Sequence, residues 1–156
     1  MPADPARPGL AFAFRVRARV GRWRGAGAGP QGERWHIPIL GGTVEGPRLR
    51  ATILPGGSDW PVVDRDGNGI ITARCSLEAE DGTLILVEND GLRIASPEVR
   101  ARLAAGDPVD PSEYWFRTVA RLDAPDGPHG WLRRRLFVGS GAPSPDEAVI
   151  DLYEIT

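Results

Sequence analysis

The segment Leu10 to Val20 alternates strictly, with Phe12, Phe14, Val16, Ala18 and Val20 on one face and Arg15, Arg17 and Arg19 on the other. A period of two over that length predicts a half-buried β-strand. Trp35 to Leu40 reads as a shorter strand stopped at Gly41-Gly42, and Leu49, Ala51 and Ile53 mark another stopped at Pro55-Gly56-Gly57. Further on, Ile71, Ala73, Cys75 and Leu77 alternate with Thr72, Arg74 and Ser76. The pair Asp81-Gly82 joins that run to Thr83–Asn89, and Asp-Gly between two alternating runs is a strong hairpin signal. Asn89-Asp90-Gly91 reads as the next turn, and Gly25 to Gly32 as a loop. Glu113 to Arg121, Trp131 to Val138 and Val149 to Ile155 are strand-like in turn.

One helix stands out. Ser96 suits its cap, Pro97 its first position, Glu98 its dipole, and Gly106 its end. Val99 and Leu103, four apart, give it a single apolar stripe. Eight or nine short strands with one helix predict an all-β fold, and closure into one antiparallel barrel removes the exposed edges a sandwich would keep. A barrel of about eight strands is either filled or holds one small ligand, so a central pocket is expected. Residues 1–9, with Pro2, Pro5 and Pro8, read as a flexible tail, and residues 10–156 as one barrel domain.

Composition sharpens this. Gly (20) and Pro (15) supply more than a fifth of the 156 residues, which favours short elements and many turns over a helical bundle. All 19 basic residues are Arg, so a Schiff-base lysine, a pyridoxal-phosphate anchor and a phosphate-loop lysine are excluded. A single cysteine, Cys75, excludes an internal disulfide and a multi-cysteine zinc site. With a formal net charge of −2, no global field recruits nucleic acid or an anionic membrane. No apolar run approaches the ~20 residues of a membrane span, and Met1 to Gly9 lacks signal-peptide order, so a cytoplasmic location is expected. Neither a nucleophile elbow nor a zinc-helix motif nor a dinucleotide fingerprint is present, and the expected cofactor is none.

Several segments recur together in order. They are Gly41-Gly42 with Glu45-Gly46-Pro47; Leu54 to Trp60; Ala73-Arg74; Glu80 to Ile85; Asn89 to Arg93; Asp110-Pro111 with Tyr114 to Thr118; Trp131-Leu132; Phe137-Val138-Gly139 with Gly141; and Val149 to Ile155. In this order they resemble the domain of unknown function 3237 family of bacteria and fungi, over about Ala11 to Ile155. The resemblance implies a compact β-barrel with a central pocket, and it suggests Asp59, Trp60, Arg74, Asp81, Asn89, Arg93, Tyr114, Arg117 and Trp131 around that pocket. The chain departs from the pattern where Cys75 replaces a usual aromatic, where Thr72 replaces a usual acid, and around Trp131, where His129-Gly130-Trp131-Leu132-Arg133 replaces Tyr-x-Trp-Leu-Asn.

The chemistry these residues offer is proton transfer with anion recognition. An Asp59 carboxyl held against the Trp60 indole would be desolvated, which raises its pKa toward a range useful for proton transfer; the plainer reading is a turn-capping Asp. Glu88 shares parity with Leu84 and Leu86, and an acid on an apolar face is either paired with Arg or functional. Arg74 and Arg117 carry forks that bind carboxylates or enolate-like oxygens, unless they belong to a structural Arg–Asp ladder. Arg117 shares parity with Trp115, and Tyr114 with Phe116, so only one of those sets faces a pocket. Asp64 to Ile71 matches half a calcium loop, but Cys75 stands at its twelfth position and the hairpin-turn reading is preferred. His36 and His129 lack a third ligand, so no metal is expected.

Three functions fit. The preferred one is a cofactor-free cyclase, isomerase or lyase acting on a carbonyl- or carboxylate-bearing small molecule, in keeping with secondary metabolism. Its catalytic candidates are Asp59 and Glu88, and its ligand-binding candidates are Trp60, Arg74, Asn89, Arg93, Tyr114, Arg117 and Trp131. The alternative is a lipocalin-like ligand carrier or sensor, and the third is a homo-oligomer held by exposed strand faces.

Overall fold

Strand β1 (Leu10–Val20) pairs antiparallel with two neighbours at once, and this double pairing is what closes the sheet. The others, in chain order, are β2 (Arg24–Gly29), β3 (Gly32–Glu45), β4 (Arg50–Ile53), β5 (Gly57–Asp59), β6 (Val62–Val63), β7 (Gly69–Ala79), β8 (Leu84–Ala95), β9 (Tyr114–Asp123), β10 (Phe137–Pro143) and β11 (Glu147–Ile155). Helix α1 (Pro97–Ala104) follows β8. In this computed structural model, which describes all 156 residues, the wall runs β1-β11-β10-β9-β8-β7 and returns through β3 to β1. Short strands β4, β5 and β6 share the eighth wall position between β7 and β3. The result is a closed eight-stranded antiparallel barrel with extra strands, as the alternating pattern predicts. No helix is long and apolar enough to cross a membrane.

Five local readings differ from the pattern-based ones. A bulge between Phe12 and Phe14 turns both Ala13 and Phe14 inward and sends Phe12 out, edge-on against Tyr153 at 5.9 Å. Gly25 to Gly29 is not loop but part of β2, which forms a hairpin on β3. Strand β3 does not stop at Gly41-Gly42; both have positive φ, and a Cβ on Gly42 would sit 1.9 Å from the Arg17 carbonyl. Likewise β8 runs straight through Asn89-Asp90-Gly91, because β7 and β9 hold it on both sides and supply the ladder that a turn would forfeit. Trp131, placed by pattern in a strand, instead lies in a 3-10 turn, Gly130–Arg134. The segment Asp64 to Asn68 is the β6–β7 hairpin turn, with the Asp64 carboxylate accepting from the Asp66 and Asn68 amides at 2.9 Å each.

The interior is graded from one end to the other. At the closed end Phe14, Leu49, Ile53, Leu77, Ile85, Leu132 and Phe137 are all at most 2% exposed, each stabilising by roughly 1.5–3 kcal/mol. Toward the other end small and polar inward residues, Ala73, Asn89, Gly91, Thr118, Gly139 and Gly141, are interleaved with Ile71 and Phe116. Helix α1 and the β10–β11 turn stand over that end, with Ser96 accepting from the Val99 amide at 3.2 Å to fix the start of the helix.

Candidate functional site

The register of four strands sets the inner wall. Asp59 pairs with Ala73 across β5–β7, Ala73 with Asn89 across β7–β8, and Asn89 with Ala120 across β8–β9. Because the side-chain period is two, all four face inward. The methyl groups of Ala73 and Ala120 leave the Asp59 carboxyl and the Asn89 amide as the polar groups of this layer. One layer nearer the mouth lies Thr118, and one beyond it Arg93, which pairs with Gly69 and Phe116.

Asp59 has no cation within salt-bridge distance. Its Oδ1 accepts from the Thr72 amide at 3.0 Å. Enclosure pushes the carboxyl up to about 6, while the Thr72 amide, the Arg93 charge and the Trp60 amide pull the other way. The desolvation therefore comes from the barrel interior. It does not come from the Trp60 indole, which is 48% exposed on the outer surface beside His36. Two further interior groups are unsatisfied: Asn89 Oδ1 and Thr118 Oγ1 are buried with no hydrogen-bond partner. Each costs about 1–3 kcal/mol when left so; the Asn89 Oδ1 can only accept a hydrogen bond, whereas the Thr118 hydroxyl can donate or accept one. Arg93 is enclosed too, and burial lowers its pKa against the pull of Asp59.

Above this layer a cavity of about 360 Å3 opens at the barrel mouth. Arg93 and Arg100 are its charged residues, and Trp23, Leu103, Pro143 and Pro145 are among its apolar walls. The pocket thus sits at the mouth rather than at the barrel centre. A broader groove of about 620 Å3 between the β2–β3 turn and Asp64–Asp66 is open to solvent and has no enclosed ionisable side chain.

The nine residues that the resemblance gathers around one pocket are divided by the structure. Asp59, Asn89 and Arg93 come together inside, and Tyr114 stands at the upper end of the same inward row as Phe116. Glu88 does not join them: it is exposed on the outer face, opposite Arg74 and Arg121. Arg74 is on that outer face as well, in a bidentate pair with Asp90 at 2.8 and 3.4 Å, the structural ladder weighed as its alternative. Arg117 also points outward over Trp115, since the Tyr114 set is the one that faces in. Trp131 and Asp81 lie at the opposite, closed end; the indole packs on Phe137 and carries the Arg48 guanidinium 3.7 Å above its ring, and Asp81 meets His129 at 3.1 Å. Cys75 lines the filled part of the interior, where burial pushes its thiol up to about 11. Thr118, Trp23 and Arg100 were missed. The inward glycines Gly91, Gly139 and Gly141 were the available signal for Thr118: a Cβ on Gly139 would lie 2.1 Å from Thr118 Oγ1.

A family model described as "Protein of unknown function (DUF3237)" matches residues 8–155. A UPF0311 protein of Rhodopseudomonas palustris is 36% identical over 144 residues, covering 92% of this chain and 94% of that protein. The crystal structure of a conserved protein of unknown function from Rhodopseudomonas palustris superposes with a TM-score of 0.89 at 34% identity, covering 98% of this chain and 100% of that one. A structure described as an enzyme from Penicillium herquei has a TM-score of 0.73 at 17% identity, with all of both chains covered, a likeness of fold alone.

Proposed function

This chain belongs to the DUF3237 family, of unknown function, and within it we propose a small-molecule-binding barrel enzyme that moves a proton without a cofactor. The observation that carries this reading is the Asp59 carboxyl: enclosed, unpaired by any cation within salt-bridge distance, and raised to about 6. An acid with a pKa near the working pH exchanges protons readily in both directions. In its ionised form Asp59 takes a proton from carbon beside a substrate carbonyl. The Thr118 hydroxyl and the Asn89 Nδ2, rather than its Oδ1, donate to the oxygen that gains charge. Return of the proton to another atom gives isomerisation; attack of a substrate oxygen or carbon gives cyclisation; loss of a leaving group gives elimination. The substrate is a carbonyl- or carboxylate-bearing molecule, and the Penicillium protein described as an enzyme supports the view that this fold hosts catalysis. We assign the chemistry to secondary-metabolite intermediates in the cytoplasm, a compartment suited to a single unpaired cysteine.

The test is α-proton exchange in D2O, followed by NMR on 2-tetralone and a set of polyketide-like carbonyl compounds. Wild type should accelerate exchange, with a rate that rises through pH ~6 as Asp59 ionises, and Asp59→Asn should lose roughly 100-fold or more. Exchange that is equal in wild type and Asp59→Asn would refute it. Binding by both proteins with no turnover in either would instead favour the carrier.

A further inference from the structure

Several exposed arginines of the barrel are paired with carboxylates, while the enclosed Arg93 is not. Arg15, Arg74, Arg102 and Arg135 each meet a carboxylate within 3.0 Å, although all are 38% exposed or more. Arg93, on the inner wall, has no hydrogen-bond acceptor and no carboxylate within 4.0 Å. Buried cations are normally paired, because desolvation without a partner is costly. Its surroundings hold the guanidinium in place without neutralising it. Gly69 gives it room, with the position of a Cβ there 3.7 Å from Nε and Nη2, and the Trp23 ring lies 5.4 Å from its carbon. Aromatic contact uses the face of the guanidinium and leaves its N–H edge free.

The second cation of the mouth is not neutralised either. Arg100 Nη1 donates to the carbonyls of Asp66 and Ala95 at 3.0 and 2.9 Å, both uncharged partners. Its charge adds to that of Arg93, and the two repel. The neighbouring Asp64 carboxylate is turned into its own loop, where it caps two amides. Two positive charges therefore face a cavity whose other walls are largely apolar. At about 360 Å3 the cavity is near the low end of ~300–1,000 Å3 ligand sites. The helix that covers it presents Arg100, Leu103 and Ala104, from its middle and last turn, so its N-terminal amides do not take part. A planar monoanion suits two such forks better than a phosphate, which favours backbone amides and helix N-termini.

Resting on the reading of Asp59 as proton carrier, we infer that the substrate is a largely apolar carboxylic acid, its carboxylate held by Arg93 with Arg100 adding charge, and its body against Trp23, Leu103 and Pro143. The carboxylate fixes one end at the mouth and directs the reacting carbonyl inward, toward Asn89, Thr118 and Asp59. Arg93 is then the residue that selects acids over their neutral counterparts.

Isothermal titration tests this with three pairs of probes: 2-naphthoate, 3-phenylpropanoate and decanoate, each against the alcohol of the same skeleton. For at least one pair, wild type should bind the carboxylate tenfold or more tightly than the alcohol. Arg93→Gln should bring that ratio within twofold, Arg93→Lys should keep part of it, and Arg100→Gln should lower it by less than Arg93→Gln does. Thermal melts confirm that each variant folds; should Arg93→Gln fail to fold, Arg93→Lys and Arg100→Gln still decide the matter. Equal binding of acid and alcohol in all three pairs, or no binding of any carboxylate, overturns the inference, as does a preference that survives in folded Arg93→Gln. Asp59-dependent exchange on neutral 2-tetralone with no carboxylate preference would leave the proton-transfer reading standing and remove the anion subsite. Carboxylate preference without exchange would keep the subsite and remove the catalysis.

Discussion

Asp59 should destabilise the barrel that contains it. Its carboxyl goes from an ordinary value of 3.8 to about 6 on folding, chiefly through burial. The sign follows from the raised pKa. Below the unfolded value the group is neutral in both states and costs nothing. Between about 4 and 6 the unfolded chain ionises first, and above about 6 the folded state carries a charge it disfavours by roughly 2–3 kcal/mol, at about 1.36 kcal/mol per pH unit. Asparagine has the same shape and keeps an acceptor for the Thr72 amide, which bonds Asp59 Oδ1 at 3.0 Å. Asp59→Asn should thus be more stable than wild type at pH 8 by roughly 2–3 kcal/mol, which at this size raises Tm by about 5–10 °C. At pH 4 the gain should nearly vanish. Urea denaturation and thermal melts of both proteins from pH 4 to 8 measure it. A difference that is flat across that range, or a variant less stable at pH 8, would refute the claim that an enclosed, unpaired carboxylate drives the effect.

Gly139→Ala places a Cβ 2.1 Å from Thr118 Oγ1 and 3.0 Å from Leu152, so it should cost about 1–3 kcal/mol by urea denaturation, and Thr118→Ala should recover part of that in the double mutant. Gly67→Ala meets both a φ of +81° and the Arg100 guanidinium at 2.2 Å; it should destabilise by roughly 1–3 kcal/mol and weaken binding at the mouth. Arg74→Ala removes only an outer ion pair, so stability should fall by no more than about 1 kcal/mol and ligand binding should not change; a large loss of binding would return Arg74 to the site. The Cys75 thiol, with its pKa near 11, should react far more slowly with iodoacetamide at pH 8 than free cysteine does, unless the protein is unfolded first.

The alternation in Leu10 to Val20, in β7 and in β11, with the Asp81-Gly82 turn and the Ser96 cap, determined an all-β chain with one helix, because these are local signals of period and capping. What the sequence could not assign was which inward positions meet. Glu88 and Asn89 are adjacent in sequence, yet one faces water and the other the interior. Strand period two sorts residues into two faces without saying which face is inside, so polar Asn89, Thr118 and Arg93 on the inner wall looked no different from Arg74 and Arg117 on the outer one. Bulges at Ala13 and at Leu40 shift that period within single strands. Glycine stretches such as Gly25 to Gly29 became strand only because β3 offered a ladder. Closure of the wall, which pairs β1 with both β3 and β11, decided the rest. It encloses Asp59 and thereby raises its pKa, and it separates Trp131 from the mouth by the length of a filled core. It also brings Trp23, Arg93 and Arg100, far apart in the chain, around one cavity. Composition and periodicity act over a few residues; burial and charge at this site depend on contacts made across the whole barrel.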